Sequence, residues 1–468
     1  MYLGQIRYGF ATNSSSSHSV VLANHIQDDS DVPEGFGYGW DHFVLASEEA
    51  KRDYIFVACR RNFEETEHWH EFVSLVRPSE ALLDGGGYVD HQSADLARVA
   101  TIEHLKELLE LLLKPRITIL GGNDNTDYDF DIPGVYFEPA QLVSMKHRRE
   151  ARGDVYFDRN RGTKIHLFDQ PINFNSYIAS APELVDIKVT DWCDIACRFC
   201  YQDSTKKGQH APFEALDRTL KDLAVAGVFE VALGGGEPMS HPDFARILKR
   251  CNELDIRPNF TTKNYKGLST PEFSAYAEQC GSIGISIATP EDVIQLLSVT
   301  PSADPYKLSL QIAMGAQTPE EFSEMLRLLE DTDAFSGLIL LGYKNTGRGP
   351  RAKGNFWYED DRLDGADPIE KFKAFTQNRR QKSRWGVRMS LSMDTEMVRS
   401  CKGSLAKHLV DPRLYMENEG RVSCYIDAVS MTVAPSSYCD KSLYRDYNFN
   451  IREIWPEMSE NYYDLTKN

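Results

Sequence analysis

The sequence predicts an α/β protein whose centre is a partial or full (β/α) barrel, preceded by a mixed α/β domain and followed by a small metal-stapled extension. Between about residues 184 and 395, short β-branched runs alternate with helical patterns, which is typical of βαβ units and a parallel sheet. About six or seven such units in roughly 210 residues suit a barrel. The alternation is absent on either side, and we therefore predict three domains: 1–180, 184–395 and 396–468.

The N-terminal domain mixes short apolar runs such as "YIFVACR" (54–60) and "ITILGG" (117–122) with one strong helical pattern, "SADLARVATIEHLKELLELLLK" (93–114). This mixture predicts an α/β domain of unknown role. The serine-rich stretch "FATNSSSSHSVV" (10–21) is interpreted as a polar lead-in to a strand. A loop that binds an anion or a substrate tail, with His18 as acid or base, and an exposed tag are the alternatives.

The barrel opens with the strand-like run "LVDIKVT" (184–190). Six further strands are predicted in "VFEVALGGG" (228–236), "IRPNFTT" (256–262), "SIGISIA" (282–288), "KLSLQIAMG" (307–315), "GLILLGY" (337–343) and "VRMSLSM" (387–393). Helical patterns of the usual length lie between them, at 213–227, 242–255, 271–280, 290–299, 318–331 and 368–384. In such barrels the chemistry lies where strands end and the following loops begin.

Composition and charge limit the classes of partner. With 41% hydrophobic residues, the composition is that of a globular protein. The formal net charge of −18 repels phosphate backbones, so nucleic-acid binding is not expected. No apolar run approaches the roughly 20 residues of a membrane span. The first residues lack a basic region followed by an apolar core, so no secretory signal is predicted. We expect a cytoplasmic protein with no membrane partner.

The nine cysteines fall into three sets. Cys59, Cys251 and Cys280 are isolated and are interpreted as small buried hydrophobes. The other six form two groups: Cys193, Cys197 and Cys200 in the first, and Cys401, Cys424 and Cys439 in the second. In a cytosolic protein such grouping favours metal or redox chemistry over disulfides.

The first group has the spacing C-x3-C-x2-C in "DWCDIACRFCYQ" (191–202). A structural zinc site needs four ligands, so Cys197 and Cys200 would be half of one and Cys193 would have no role. A thioredoxin-like pair would need only two cysteines. A [4Fe–4S] cluster bound by three thiolates uses all three and leaves one iron open to a substrate or cofactor, as reactive metal sites require.

The loop resembles the signature of the radical SAM enzymes, with Phe199 as the aromatic residue before the last cysteine and Tyr201 after it. The segment "GGGEP" (234–238), at the end of the next predicted strand, is similar to that family's glycine-rich motif, where bare backbone approaches a ligand closely. Weaker similarities follow in order, in "NFTTKN" (259–264), "GISIAT" (284–289), "LQIAMG" (310–315) and "LLGYKNTGRG" (340–349). The resemblance covers about residues 184–395.

The resemblance implies a fold, two cofactors and a set of binding residues. Cys193, Cys197 and Cys200 would hold a [4Fe–4S] cluster that, once reduced by a reductase or a flavodoxin-type donor, cleaves S-adenosylmethionine to a 5′-deoxyadenosyl radical. The methionine end would be held by Gly234, Gly235, Gly236 and Glu237, and the ribose and carboxylate by Asn264, Ser286 and Gln311. No catalytic side chain is identified.

The second cysteine group lies in a region that resembles a SPASM or twitch extension, in which radical SAM enzymes of peptides and proteins hold auxiliary clusters. "CKG" (401–403) and "ENEGRVSC" (417–424) match, but a full module has about seven cysteines and this region has three. We expect a second [4Fe–4S] cluster on Cys401, Cys424 and Cys439 with a fourth ligand from elsewhere. A zinc site that includes His408 or an aspartate and three unligated thiols are the alternatives.

The function that these features imply is hydrogen abstraction from a substrate, with a peptide or protein side chain favoured by analogy with the extension. Modification of a small metabolite or nucleotide is the second enzyme hypothesis. A non-catalytic iron–sulfur or zinc protein that binds or senses is the third.

Overall fold

The computed structural model describes residues 2–7, 37–38, 43–45, 47–83, 86–89, 99, 101–113, 119–121, 145–160, 162–169, 176–362, 367–382, 389–408 and 419–466. The chain folds into two compact units. The first comprises Met1–Ile6, Val20–Asp158 and Lys164–Phe174, and the second Arg7–Ser19, Arg159–Thr163 and Asn175–Asn468. The serine-rich stretch and His18 lie outside the described residues.

The N-terminal unit is mixed α/β, as predicted. Its strands are β1 (Tyr2–Arg7), β2 (Gly37–Tyr38), β3 (Phe43–Leu45), β4 (Tyr88–Val89), β5 (Ile119–Gly121), β6 (Lys146–Glu150), β7 (Gly153–Phe157) and β8 (Lys164–Phe168). They form a four-stranded sheet in the order β1-β8-β7-β6 and two pairs, β2-β4 and β3-β5. The helices are α1 (Glu48–Cys59), α2 (Trp69–Val76), α3 (Glu80–Leu83) and α4 (Ile102–Leu112).

Local signals explain the two best-defined helices of this unit. The run "YIFVACR" (54–60) lies mainly in α1, which begins after Ser47, whose side chain accepts a hydrogen bond from the Ala50 N–H at 3.1 Å. The predicted helix at 93–114 is shorter, because Thr101 caps α4 through the His104 N–H at 3.2 Å. Residues 93–98 lie outside the described residues.

The second unit contains a ten-stranded sheet in the order β15-β14-β13-β12-β11-β10-β9-β16-β17-β18. Its strands are β9 (Leu184–Thr190), β10 (Glu230–Gly235), β11 (Arg257–Thr262), β12 (Ile283–Ile287), β13 (Leu308–Ala313), β14 (Gly337–Leu341), β15 (Ser390–Met393), β16 (Ser423–Asp427), β17 (Thr432–Ala434) and β18 (Arg445–Asp446). The seven strands from β9 to β15 are parallel. The predicted βαβ architecture is therefore confirmed.

The helices of this unit are α5 (Phe213–Ala226), α6 (Phe244–Glu253), α7 (Pro271–Gln279), α8 (Pro290–Leu297), α9 (Pro319–Leu328), α10 (Gly349–Ala352), α11 (Pro368–Lys382), α12 (Thr395–Ser400), α13 (Lys402–Lys407) and α14 (Ile451–Thr466). Three of them start at a Thr-Pro-Glu sequence, in which Thr270, Thr289 or Thr318 accepts a hydrogen bond from a backbone N–H three residues on. Proline at the first helical position and threonine at the cap are strong start signals. None of the helices in the described part combines the length and apolarity that a membrane span requires.

The two faces of the parallel sheet differ in chemistry. On β9, Val185, Ile187 and Val189 pack into the apolar core with the helices, while Asp186 and Lys188 alternate with them and face the other side. The same alternation continues on β12 and β13, where Ser286 and Gln311 alternate with core residues, whereas β14 places Ile339 and Leu341 on this face. Burial of the apolar face stabilises the packing of the helices against the sheet, and the polar face lines a cavity.

The C-terminal part of the unit joins the same sheet. Strand β16 pairs in parallel with β9, from Ser423 opposite Leu184 to Asp427 opposite Lys188, and β17 and β18 follow as antiparallel strands. Strands on both sides of residue 396 therefore belong to one sheet. The predicted domain boundary at this residue stays a prediction.

Helix α14 anchors this extension. Trp455 is fully buried in the core, and its indole Nε1–H donates to the Ala179 carbonyl at 2.7 Å. We expect Trp455→Ala to lower the free energy of unfolding by about 3–5 kcal/mol, because it leaves a cavity and an unpaired carbonyl. Urea denaturation measures this, with Glu460→Ala on the exposed side of the same helix as a control expected within about 0.5 kcal/mol of the wild type. Equal stability of the two variants would contradict this packing.

Candidate active site

Cys193, Cys197 and Cys200 lie in the loop between β9 and α5, at the carboxyl edge of the parallel sheet. All three are partly buried and line a single cavity of about 1180 Å³, counted with the solvent at its mouth. The strand ends of β9 to β14 supply the rest of the wall, as expected for a barrel of this type. The cavity residues are Asp186, Cys193, Ile195, Cys197, Phe199, Cys200, Tyr201, Ser204, Gly234, Gly235, Gly236, Glu237, Thr261, Thr262, Lys263, Ser286, Ile287, Ala288, Gln311, Ala313, Leu341, Gly342, Tyr343 and Lys344.

Backbone hydrogen bonds and side-chain caps shape the cysteine loop. The Cys193 N–H donates to the Thr205 carbonyl at 3.0 Å, and the Thr205 N–H donates to the Asp191 carbonyl at 3.1 Å, which ties the two ends of the loop together. Ala196 and Asp203 have left-handed backbone angles, with φ of 57° and 54°. Non-glycine residues adopt this conformation at a cost, so contacts from outside the loop must hold it.

The three loop thiols line one cavity but differ in their electrostatic surroundings. Among the described residues, the group of possible metal-ligand atoms that all lie within 4.8 Å of one another is Asp367, Glu370 and His408, and the loop sulfurs do not form a group that tight. Burial raises the pKa of the Cys193 and Cys197 thiols, while the Lys263 ammonium favours the Cys197 thiolate. The Lys263 ammonium is itself held 2.7 Å from Asp292.

The three glycines of "GGGEP" have different surroundings. A Cβ atom on Gly235 or Gly236 would clash with the backbone of Thr190 or Trp192, and Gly235 also has φ of 109°. These two glycines let β10 and the start of the cysteine loop touch, and the Gly236 N–H donates to the Thr190 carbonyl at 2.7 Å. Gly234 differs, because the nearest atom to its Cβ would be Asp186 Oδ1 at 3.8 Å, so a side chain there would enter the cavity.

Glu237 is 2% exposed and fastens the glycine turn to the next strand. Its Oε1 accepts hydrogen bonds from the Thr262 hydroxyl at 2.8 Å and the Met239 N–H at 3.2 Å, and its Oε2 accepts one from the Lys263 N–H at 3.1 Å. Burial raises the pKa of the Glu237 carboxyl to about 7, against the effect of these donors. Glu237 therefore stabilises the glycine turn and also lines the cavity.

The structure separates the three weaker predicted contacts. Ser286 and Gln311 line the cavity from β12 and β13, and Gln311 Oε1 accepts a hydrogen bond from Thr261 Oγ1 at 3.3 Å. Asn264 does not line it. Its side chain caps the short helix that follows β11, accepting from the Gly267 N–H at 3.1 Å. A direct ribose contact by Asn264 is therefore not what this structure shows.

The two aromatic residues of the loop both line the cavity. Phe199 also packs against the apolar core. Tyr201 is half-buried, and desolvation of its hydroxyl raises the pKa of that group above the ordinary value. The next residue, Gln202, accepts a hydrogen bond from the Tyr425 hydroxyl of β16 at 3.2 Å, so the C-terminal strands support the loop.

Sequence reasoning missed a buried ion pair on the opposite wall. Lys344 lines the cavity and lies 2.5 Å from Asp394, whose other oxygen accepts hydrogen bonds from the Gly342 and Met397 N–H groups at 2.8 and 2.7 Å. The Lys344 ammonium also lies 3.8 Å from the centre of the Tyr438 ring. Both charged residues directly follow predicted strands, and charged residues at barrel strand ends were the available signal.

The second cysteine group is not brought together. Cys424 on β16 packs in the main core, whereas Cys439 packs with Tyr425, which faces the opposite side of that strand. The Cys401 thiol donates to the Met397 carbonyl at 2.9 Å and the Cys439 thiol to the Ser436 carbonyl at 3.2 Å. Burial raises the pKa of Cys439 to about 11 and of the other two thiols further. The three thiols thus have different hydrogen-bond and packing partners, and a second cluster on them stays a prediction.

The zinc alternative at His408 is not supported either. His408 Nε2 lies 3.0 Å from Asp367 Oδ2, in the group that also contains Glu370. The other Asp367 oxygen caps α11 through the Ile369 N–H at 2.9 Å, and the Lys407 ammonium lies 3.3 Å from Glu370. Protein donors thus already neutralise this acidic group.

Comparison with known families agrees with the motif analysis. Residues 187–346 match the sequence profile described as the Radical SAM superfamily. This segment includes the three loop cysteines and the strands from β10 to β14, and it begins within β9.

The curated relatives match over part of their length. A PqqA peptide cyclase of Methylorubrum populi is 29% identical over 92 residues, which are 19% of this chain and 24% of that protein. A probable GTP 3′,8-cyclase of Methanothermobacter thermautotrophicus is 25% identical over 156 residues, 29% of this chain and 50% of that protein. The chain therefore spans half or less of the length of these relatives.

Among solved structures, SuiB of Streptococcus suis aligns with a TM-score of 0.48 at 13% identity, over 68% of this chain and 88% of that one. The complex of SuiB with its precursor peptide SuiA aligns with a TM-score of 0.44 at 14% identity, over 59% of this chain and 65% of that one.

Proposed function

We propose, from the radical SAM domain that residues 187–346 form, that this protein is an enzyme that cleaves S-adenosylmethionine reductively at a [4Fe–4S] cluster held by Cys193, Cys197 and Cys200. One observation carries the proposal: the three thiols and the glycine segment face the same cavity at the carboxyl ends of adjacent parallel strands. This is the edge of the sheet at which (β/α) proteins place their chemistry.

The residues present fit this cofactor pair. Three thiols line the described cavity and no fourth cysteine is among the residues that line it, which fits a cluster with one open iron. Gly234 has no side chain, so the cavity wall has room at this position, where any other residue would protrude into the cavity. When bound, the reduced cluster supplies the electron that converts S-adenosylmethionine to methionine and a 5′-deoxyadenosyl radical, which takes a hydrogen atom from the substrate.

The chain's own residues would position and enclose the reactants. We assign the methionine end to the backbone of Gly234, Gly235 and Gly236, with Glu237 holding that turn against β11. Ser286 and Gln311 are the proposed contacts for the remaining polar groups, and Asn264 acts only through the turn it caps.

The proposed substrate is a peptide or protein side chain. The similarity to a PqqA peptide cyclase supports this class, and reduction by a reductase or a flavodoxin-type protein is part of the proposal. A nucleotide or small metabolite is the second candidate, which the similarity to a probable GTP 3′,8-cyclase favours. We propose a single cluster, because the described residues do not gather the second cysteine group.

The test is 5′-deoxyadenosine formation by anaerobically reconstituted protein with reductant and S-adenosylmethionine. We expect formation by the wild type and a loss of at least about 100-fold in Cys197→Ala, since an open metal site cannot be held by two thiolates. Product equal to that of the variant would contradict the proposal. Mass shifts in co-expressed peptides, compared with nucleotides as added substrates, then distinguish the two substrate classes.

A further inference from the structure

The segment "NTGRG" (345–349), between β14 and α10, packs against the cysteine loop although about 150 residues separate them in sequence. We propose that Arg348 is a positioning residue that holds the second half of the cysteine loop in its cluster-binding conformation and that its charge sets the reduction potential of the cluster. The inference rests on the proposed function for the identity of the cluster.

Arg348 makes four hydrogen bonds to the cysteine loop. Its backbone N–H donates to the Cys200 carbonyl at 3.0 Å, and its Nε donates to the Cys197 carbonyl at 3.0 Å. Its Nη1 donates to the Ser204 carbonyl at 2.9 Å and to Asp203 Oδ1 at 3.1 Å. One side chain thus binds backbone on both sides of the last cysteine.

Two of the loop carbonyls that Arg348 meets, those of Cys197 and Cys200, are also the acceptors of two successive turns. The Cys200 N–H donates to the Cys197 carbonyl at 3.3 Å, and the Asp203 N–H donates to the Cys200 carbonyl at 3.2 Å. Each carbonyl oxygen has a second lone pair, which the planar donor group and backbone N–H of Arg348 can use. Asp203 has a left-handed backbone conformation, and its side chain is one of the groups that Arg348 binds.

Gly347 makes the approach possible. It has φ of 58°, and a Cβ atom at this position would lie 2.7 Å from the Cys200 carbonyl oxygen and would also clash with that of Tyr201. Glycine is therefore required for "NTGRG" to lie flat on the loop, which places the Arg348 N–H within reach of Cys200.

The same contacts have an electrostatic consequence. The Arg348 side chain is 18% exposed, so solvent screens its charge only in part. A thiolate-bound cluster becomes more negative on reduction, and a nearby cation and hydrogen bonds stabilise the reduced form. Removing the cation is therefore expected to shift the midpoint potential to a more negative value.

The test compares Arg348→Met, Arg348→Lys and Arg351→Met. In Arg348→Met we expect iron loss to a chelator to be roughly tenfold faster, as for the loss of a charge-assisted hydrogen bond, with a more negative midpoint potential. Arg348→Lys keeps the positive charge but lacks the planar guanidinium with its several N–H donors. The midpoint potential of the cluster is therefore expected to stay near that of the wild type, while iron loss remains accelerated. Arg351→Met, exposed on α10, removes the same charge and is expected to change neither quantity.

Wild-type iron retention and potential in Arg348→Met would overturn the inference. If that variant does not fold, Arg348→Lys decides: faster iron loss at an unchanged melting temperature supports the role, and unchanged loss refutes it.

The two proposals fail separately. A wild type that forms no 5′-deoxyadenosine, but whose iron retention depends on Arg348, contradicts only the proposed function. A wild type that forms 5′-deoxyadenosine, with an Arg348→Met variant indistinguishable from it in iron retention and potential, contradicts only the role of Arg348.

Discussion

Replacing Cys193, Cys197 and Cys200 together by alanine is expected to reduce the iron of the anaerobically reconstituted protein from about four atoms per chain to background. The reason is that the cavity thiols are the only cysteines of the described residues that we find placed for a cluster. The Cys401 and Cys439 thiols lie within hydrogen-bonding distance of backbone carbonyls, burial raises the pKa of both thiols, and Cys424 is enclosed by apolar side chains. Iron and sulfide analysis, with the visible absorption of the protein, measures the result.

The matched control replaces the other group, Cys401, Cys424 and Cys439, by alanine. It removes the same number of thiols and is expected to keep about four irons per chain, with a lower melting temperature from the small cavities. Retention of a full cluster by the first variant, or loss of half the iron in the second, would show that the second group also binds iron. Either result would restore the auxiliary cluster that the sequence led us to expect.

The second large effect concerns two glycines that are two residues apart. Gly236→Ala is expected to prevent stable cluster binding, because its Cβ would fall closer to the Trp192 carbonyl than the 3.0 Å that real Cβ atoms keep. Overpacking of this kind costs about 1–3 kcal/mol, and here the displaced backbone begins the cysteine loop. We expect iron retention to fall roughly 5- to 150-fold, the range to which that energy corresponds.

Gly234→Ala is the matched partner of this variant. Its Cβ meets Asp186 Oδ1 at an ordinary 3.8 Å, so the protein accommodates it without moving and the iron content stays at the wild-type level. The methyl group instead occupies the cavity, and we expect S-adenosylmethionine cleavage to fall by about tenfold or more while the absorption spectrum of the cluster is unchanged. Equal iron loss in both variants would mean that the motif acts as one structural turn. Unchanged cleavage in Gly234→Ala would contradict the binding role.

Local patterns predicted much of the barrel. Strand β9 occupies the predicted residues 184–190, and α5 ends one residue before the predicted 227, where Gly227 adopts a left-handed conformation. The agreement has a physical cause, since alternating β-branched runs and Thr-Pro-Glu helix starts act through neighbours only a few residues away. The same locality lets the three thiols of the cysteine loop, which are close in sequence, line one cavity.

Contacts between distant segments were not predictable in this way. The pairing of β16 with β9 joins residues about 240 apart, and it adds strands of the region after residue 396 to the main sheet. It also separates the surroundings of Cys424 and Cys439. Successive residues of β16 face opposite sides of the sheet, so Cys424 packs in the main core while Tyr425 packs with Cys439 on the other side. Their closeness in sequence did not imply closeness of their sulfurs.

The sequence by itself determined the α/β class, the order of the barrel strands and the loop with three cysteines, because each depends on periodicity or spacing within one segment. Only the tertiary structure decided that Gly235 and Gly236 support the cysteine loop while Gly234 leaves space, that Lys344 pairs with Asp394, and that Arg348 binds the loop. These features depend on which backbones approach within hydrogen-bonding distance across the sheet. Side chains far apart in sequence acquire such roles only when the packing of the parallel strands brings their ends to one edge.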